Sequence, residues 1–372
     1  MEKQKSKEII INGAGLAGLT AAINLAGAGY KVKVFEKKDF IGQQKKETVQ
    51  LLPNWFSKKD VIEELKECDI KVNWKNKISE IEIYLGKTKV LIYSKENPIG
   101  YTVLRGGENS FEKDLARQAI EKGVEIIFGK ESKEKPDIIA TGLGRILTVG
   151  YGQVYKGDFK PDKAKVFLAF DFSPTIGYGY FFPHNKKLAT LKISRKLKEN
   201  IDLKQNLEKI KKTYLEKEIR NENFLYDFGT KRSFEIPKTA IRNQSLLVGE
   251  AAGFQDELFR FGIRYAIISG FLAAKSIIEN KDYDKLWKKR FQKEFQKIAK
   301  TRKVFCDFKE KRFNILSGKS DIFLEIEKFK RVWISFLSDI VLDFYPFLNN
   351  RFFINFLLKL ACFLGFFKRK SL

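Results

Sequence analysis

Apolar and polar positions follow two different periods along the chain, and the changes of period mark its elements. The chain opens with a short apolar run, Glu8 to Asn12, followed at once by Gly13-Ala14-Gly15-Leu16-Ala17-Gly18. A helical spacing comes next, with Ala22 and Leu25 on the face that packs and Gly29 where the helix must stop. A second apolar run, Val32 to Phe35, ends on Glu36. Residues 8–37 are therefore predicted as strand, glycine turn, helix and strand. After a polar loop, residues 61–68 take helical spacing, whereas 78–85 and 89–93 alternate like paired strands around Gly86-Lys87. An amphipathic helix is predicted over 110–122, with Phe111, Leu115, Ala119 and Ile120 on one face, Ser110 as N-cap and Gly123 ending it. Residues 124–128 form a strand, and 136–142 another, parallel strand that ends in the small-residue turn Thr141-Gly142. From 166 to 195 period two returns in three runs, before a lysine-rich helix over 201–220. Ser245 to Gly249 is a buried strand leading into Glu250-Ala251-Ala252-Gly253, and a long helix runs from near Gly262 through Ser276. Residues 283–331 are predicted as one or two basic helices.

The opening unit carries chemistry because its glycines sit between a strand and a helix. Gly13 makes the tight turn, Gly15 lets backbone N–H groups approach a pyrophosphate, and Gly18 lets the helix pack closely on the strand. The helix N-terminus adds partial positive charge, and Glu36 at the tip of the second strand is placed to accept hydrogen bonds from a ribose diol. A dinucleotide is expected here, on Gly13, Ala14, Gly15, Ala17, Gly18, Glu36 and Lys37.

Composition narrows the setting. The 372 residues suffice for two domains, and 44% hydrophobic content supports a core. A formal net charge of +25 is extreme, and it is spread along the chain in pairs such as Lys45-Lys46 and Lys58-Lys59. Nothing resembles a helix-turn-helix, zinc finger or RNA-recognition signature, so an anionic membrane surface ranks above nucleic acid as partner. The three cysteines are scattered without a CxxC, and the single histidine, His184, excludes histidine-based metal sites and catalytic triads. No metal is expected. The chain is read as reduced and cytoplasmic, with no signal peptide at its N-terminus. Residues 332–345 and 350–367 are dense in aromatics and leucine but are interrupted by Asn355 and Lys359. They suit an interfacial helix better than a spanning one, with Lys368-Arg369-Lys370 meeting lipid headgroups in a peripheral membrane association.

Three separated segments point to a flavin dinucleotide: the opening unit ending on Glu36, the turn from Asp137 to Gly142, and Leu247-Val248-Gly249-Glu250-Ala251. Together they resemble the FAD-binding fold of the aromatic hydroxylases and their relatives. Within that superfamily the chain looks most like the geranylgeranyl reductase family, which saturates isoprenoid chains. The finer resemblance rests on Gly177-Tyr178-Gly179-Tyr180-Phe181-Phe182-Pro183, similar to that family's YxWxFP segment with Tyr180 in the tryptophan position. It rests also on Gly249-Glu250-Ala251-Ala252-Gly253-Phe254, continuing to Gly262-Ile263. Glu250 replaces the usual aspartate, and Glu257 and Arg260 stand where the family has proline and glycine. The arginine-led entry to the family's next helix is stretched, from Arg105 to Phe111 and Glu112.

The resemblance implies an α/β fold, α+β overall. A Rossmann-like FAD-binding domain (1–52, 100–150 and 230–282) would hold an inserted antiparallel-sheet substrate domain (53–99 and 151–229) and precede a C-terminal helical, membrane-facing region (283–372). It implies FAD on the opening unit together with Arg105, Thr141, Gly142, Gly249, Glu250, Gly262 and Ile263. Gly262 would open a helix whose N-terminus faces the flavin, with Arg260 and Arg264 adding to its field or holding a lipid phosphate. Tyr178, Tyr180 and Phe182 alternate along a strand and so share a face, with Phe181 opposite. They would wall an isoprenoid lipid substrate, and Tyr178 or Tyr180 would donate a proton. No second glycine fingerprint is present, so electrons would come from an external donor such as ferredoxin or NAD(P)H. The rival readings are a monooxygenase or halogenase of the same superfamily, an isoprenoid cyclase, and a non-catalytic membrane-bound flavoprotein. Halogenases would show Trp-x-Trp-x-Ile-Pro and an active-site lysine, neither identified in the sequence.

Overall fold

A computed structural model describes residues 7–316, apart from 43–44, 55–58, 73–75, 86–87, 95–96, 143, 145, 168–177, 221–222 and 258, together with 324–326 and 368–369. The opening pattern folds as its spacing dictates. Strand β1 (Ile9–Asn12) leads through the glycine turn into α1 (Leu16–Gly27) and back into β2 (Val32–Glu36), which lies parallel to β1. Later strands widen this layer. A parallel pair needs a crossover of about a dozen residues or more; α1 supplies it between β1 and β2, and the other parallel neighbours arrive from further along the chain.

The intervening elements are β3 (Thr48–Pro53), α2 (Val61–Lys66), β4 (Asn76–Ile78), β5 (Glu80–Leu85), β6 (Thr88–Tyr93) and β7 (Gly100–Arg105). Then come α3 (Phe111–Glu121), β8 (Glu125–Phe128), β9 (Ile138–Ile139), β10 (Thr148–Lys156), β11 (Lys163–Phe167), β12 (Gly179–Pro183) and β13 (Leu188–Lys196). The chain continues through α4 (Leu203–Tyr214), β14 (Phe224–Arg232), β15 (Ile241–Arg242) and β16 (Ser245–Leu247). A short 3-10 turn (Gly249–Ala252), α5 (Ile263–Ile278) and α6 (Tyr283–Leu316) follow, with β17 (Leu324–Ile326) and β18 (Lys368–Arg369) beyond.

Three sheets result. The first runs in the order β15-β16-β9-β1-β2-β8, parallel except for the β15–β16 hairpin. Helices α1 and α5 pack on it, and their main-chain contact is close: a Cβ on Gly270 would come within 2.2 Å of the Ala17 carbonyl oxygen. The second sheet has nine strands in the order β14-β10-β13-β12-β11-β5-β6-β17-β18, and the third is β3-β7-β4. The mixed α/β architecture expected from the sequence is what forms. Pairing of β5 with β6, the parallel placement of β9, and the Ser110 cap on α3 all follow the sequence reading, with Ser110 Oγ accepting from the Lys113 N–H.

Two expectations need correction. Ile120 points to solvent, 58% exposed, because it lies about half a turn round α3 from Phe111, off the buried stripe of Phe111, Leu115 and Ala119. The C-terminal region is helical through Leu316, but β17 and β18 pair at the far edge of the nine-stranded sheet, so Lys368 and Arg369 are strand residues. The stretches 332–345 and 350–367, read as interfacial helices, lie outside the described residues. Among the described residues no helix is long and apolar enough to cross a membrane.

The large sheet separates two cores, and its alternation decides which side chains reach the site. One face buries Phe167, Phe181, Leu191 and Ile193 against Leu207 and Ile210 of α4. The other face carries Tyr178, Tyr180 and Phe182, clustered with Val49, Leu51, Ile78 and Ile99. That second face packs on the third sheet.

Candidate functional site

A cavity of about 380 Å3 opens at the C-terminal ends of the parallel strands, walled on its far side by Gln50 of β3, Arg105 of β7 and Arg232 of β14. This is where open α/β sheets place ligands. Its floor is the glycine turn. Gly13 has φ +107°, and a Cβ there would lie 2.3 Å from the Ala140 carbonyl oxygen, so only glycine fits. Gly18 does not line the cavity. A Cβ on it would lie 2.0 Å from the Gly13 carbonyl oxygen, which makes its role the close packing of α1 on the turn. Gly15 is different: a Cβ there meets nothing within 4 Å, because it would project into the cavity. The same is true at Gly142, whose φ is +81°.

Twelve further residues expected at the site from sequence reasoning line the same cavity alongside Gly15: Gly13, Ala14, Ala17, Glu36, Lys37, Arg105, Thr141, Gly142, Gly249, Glu250, Gly262 and Ile263. Glu36 accepts from two backbone N–H groups, Ala14 at 3.0 Å and Lys38 at 3.1 Å, which fixes its carboxylate at the rim of the glycine turn. Glu250 accepts from the Ser233 N–H at 2.9 Å, and so ties the 3-10 turn to the end of β14. Arg105 is buried; its Nε donates to Glu112 Oε1 at 2.6 Å and its Nη1 to Gln50 Oε1 at 2.9 Å.

A second, smaller cavity of about 40 Å3 adjoins the first and shares Gln50, Arg232, Arg260, Gly262 and Ile263 with it. Its wall is Tyr178, Tyr180 and Phe182, on one face of β12 and the residue before it, as the alternation requires. Tyr180 stacks on Phe182 with centroids 4.1 Å apart and planes 13° from parallel. The Tyr178 hydroxyl donates to the Phe259 carbonyl oxygen, which ties β12 to the loop before α5. Burial raises both tyrosines above the ordinary phenol range, so they hold their protons.

Arg260 sits where the cavities meet, 9% exposed rather than solvated. Its φ of +61° is left-handed, a conformation that favours glycine. The conformation is held by the Arg260 N–H donating to the Asp256 carbonyl at 2.8 Å and by Gln255 Nε2 donating to the Arg260 carbonyl at 2.7 Å. Its Nη1 donates to Ser194 Oγ at 2.6 Å. Burial lowers Arg260 to about 10, which still leaves it cationic at neutral pH. Arg264, considered as a phosphate holder, is committed elsewhere. It forms two hydrogen bonds to Glu64, at 2.6 and 3.0 Å, and one to Glu294 at 2.9 Å, clamping α5 between α2 and α6.

Sequence reasoning missed Lys192, Arg232 and Gln50. Lys192 is buried, lines the small cavity, and carries its Nζ 5.8 Å from the Tyr180 ring centroid. The lysine thought absent on sequence grounds therefore has a candidate.

Three buried side-chain oxygens on the cavity walls have no hydrogen-bond partner among the described residues: Glu112 Oε2 and Gln255 Oε1 on the larger cavity, and Thr148 Oγ1 on the smaller. Unsatisfied buried oxygens are costly and rare, so a ligand with donors suits this place. Among the described residues no cluster could hold a metal ion.

Residues 11–64 match the NAD(P)-binding Rossmann-like domain family. A geranylgeranyl bacteriochlorophyll reductase-like protein from Thermoplasma acidophilum superposes with a TM-score of 0.66 at 21% identity, over 84% of this chain and 92% of that one. A flavoprotein/dehydrogenase from Cytophaga hutchinsonii gives 0.61 at 17% identity, over 92% and 96%. A flavin-dependent brominase gives 0.55 at 16%, over 83% and 89%. This is the fold of the flavin-dependent oxidoreductases. The FAD-type Rossmann fold read from residues 8–37 and the later turns is thereby borne out, as is the structural likeness to a reductase of the geranylgeranyl type. The likeness covers 84–92% of this chain and 92–96% of those chains, so it extends well beyond the dinucleotide layer.

Proposed function

We propose that the chain is an FAD-dependent oxidoreductase that reduces C=C double bonds in the isoprenoid, geranylgeranyl-type chains of lipids at a membrane surface. The observation that carries this reading is the aromatic wall of Tyr178, Tyr180 and Phe182, set against the junction where Gly262 and Ile263 border both cavities. FAD fits the residues present. Gly15 leaves the space a pyrophosphate needs, Glu36 stands at the ribose end, and Glu112 Oε2 and Gln255 Oε1 await donors. Bound there, reduced FAD supplies hydride, which no side chain can.

The remaining work falls to the protein. The N-terminus of α5, capped by Gly262, directs backbone N–H groups and partial positive charge at the inner end of the cleft. The stacked aromatics exclude water and give an apolar chain a surface to lie on. Excess positive charge would hold the protein to anionic headgroups, and an external reductant, ferredoxin-like or NAD(P)H, would recharge the site.

The test is product mass after turnover with a geranylgeranylated phospholipid in anionic vesicles. A gain of two hydrogens per double bond supports the reading; an unchanged lipid refutes it. One observation favours a second reading, oxygenation or halogenation: Lys192 stands beside the cleft, as a lysine does in the halogenases considered above. Product carrying oxygen or halogen would establish that alternative.

A further inference from the structure

We propose that Lys192 delivers the proton in this reduction, from the small cavity. The inference deepens the reductase reading and rests on it. Saturating one double bond adds a hydride to one carbon, with the two electrons lost by the reduced flavin, and a proton to the other. As the second C–H bond forms, an N–H bond of the Lys192 ammonium breaks, and the neutral amine left behind regains its proton from solvent.

Position is the first argument. Along β13 the alternation sends Ala189, Leu191 and Ile193 into the core beneath α4, and Thr190, Lys192 and Ser194 to the other face. That face is covered, so three polar side chains are buried there and each needs a reason to be polar. Thr190 Oγ1 accepts from the Val49 N–H at 2.9 Å, and Ser194 Oγ accepts from Arg260. Lys192 has no such structural duty: it forms no ion pair among the described residues and lies beside the ring of its cross-strand neighbour Tyr180. The next strand makes room for it. On β10 Gly152 pairs with Lys192 and Gly150 with Ser194, and a Cβ on Gly150 would come within 3.0 Å of Lys192 Cε. A lysine with no ion pair among the described residues, in a cavity that shares five lining residues with the cofactor cleft, is placed to meet a bound chain.

Charge is the second argument. The titratable groups facing Lys192 are Tyr178 and Tyr180 from the β12 side, Arg232 at the end of β14, Arg260 before α5, and Glu250 in the 3-10 turn. Burial, then Arg232 and Arg260, lower Lys192 well below the usual lysine range, while Glu250 opposes them. Burial raises both tyrosines. The ammonium is thus the acid strengthened by its surroundings, and the phenols, expected from sequence as donors, are weakened.

The experiment compares full-length wild type, K192M and K192R, each loaded with FAD and reduced anaerobically, on addition of a geranylgeranylated phospholipid. Flavin reoxidation should slow at least ~100-fold in both variants, the usual scale for a lost general acid, with FAD binding by fluorescence titration unchanged. The wild-type rate should fall as pH rises through the Lys192 pKa. In 13C-lysine-labelled wild type without lipid, the Lys192 signal, assigned by its loss in K192R, should titrate at that same pH. Variants within threefold of wild type, or a Lys192 signal that titrates in the ordinary lysine range, overturn proton delivery alone. A wild type that never transfers electrons to the lipid overturns the reductase reading, and this inference with it. Should K192M fail to fold, the K192R rate and the wild-type titration decide the matter.

Discussion

Gly15 and Gly18 lie three residues apart in one glycine motif, and the structure gives them opposite roles, so alanine at each should fail differently. In G15A the backbone needs no adjustment: φ −87° and ψ −179° are open to any residue, and the new methyl meets nothing within 4 Å. Alanine caps α1 slightly less well than glycine, while a stiffer unfolded chain returns about 0.4–1 kcal/mol, so the two effects nearly cancel. The apo-protein should melt within roughly 2 °C of wild type, the shift that about 1 kcal/mol produces in a chain this long. The methyl does, however, occupy the space through which phosphate oxygens reach the N–H groups of the turn. Losing two charge-assisted hydrogen bonds at about 1.5–3 kcal/mol each weakens FAD binding by roughly two to four orders of magnitude. In G18A the methyl would lie 2.0 Å from the Gly13 carbonyl oxygen, and main chain must move. That costs about 1–3 kcal/mol of stability before any ligand is considered. The assay is a fluorescence-quenching titration of each apo-protein with FAD beside its thermal melt. G15A binding FAD as wild type does would refute the placement of the pyrophosphate on this turn, and equal melting losses in both variants would refute the division of roles.

Other consequences are checked as simply. Glu64→Ala removes two charge-assisted hydrogen bonds to Arg264, 3% exposed, and leaves it Glu294, so the change should cost about 1.5–3 kcal/mol in urea unfolding; a loss below 1 kcal/mol would show the clamp to be unimportant. At Arg260, whose φ is +61°, R260G should be more stable than R260A by about 1–2 kcal/mol, and equal stabilities would argue against the left-handed backbone. His184 is lowered from 6.5 by burial, partly offset by its contact with Thr102, so its imidazole NMR signal should titrate below 6.5. Because the unfolded chain takes up that proton first, stability should fall as pH drops below 6.5 toward the folded pKa; titration above 6.5 would contradict the burial.

The dinucleotide layer was legible because its signals are local. A strand, a glycine turn and a helix each announce themselves within a few residues, and the turns at Gly142 and Glu250 carry small residues for the same steric reason. The aromatic face of β12 was legible too, since period two alone puts Tyr178, Tyr180 and Phe182 together. What stayed hidden depends on contacts distant in sequence. Along β13, Thr190, Lys192 and Ser194 alternate with apolar residues just as they would on a half-exposed strand, and only the tertiary covering of that face reveals Lys192 as buried. Arg264 looked free for a phosphate because its partners Glu64 and Glu294 lie far along the chain. Ile120 is apolar beside the buried Ala119, but it lies about 100° further round α3 and half a turn from Phe111, so its hydrophobicity misled.

The central claim is two-electron reduction of a prenyl chain, and its most direct test is an anaerobic single turnover followed by flavin absorbance. Wild type carrying reduced FAD is mixed with vesicles of a geranylgeranylated phospholipid, and separately with vesicles of its fully saturated counterpart. The account predicts reoxidation by the unsaturated lipid alone, with one double bond lost per flavin. Reduced flavin that persists with both lipids and reoxidises only when oxygen is admitted would contradict it.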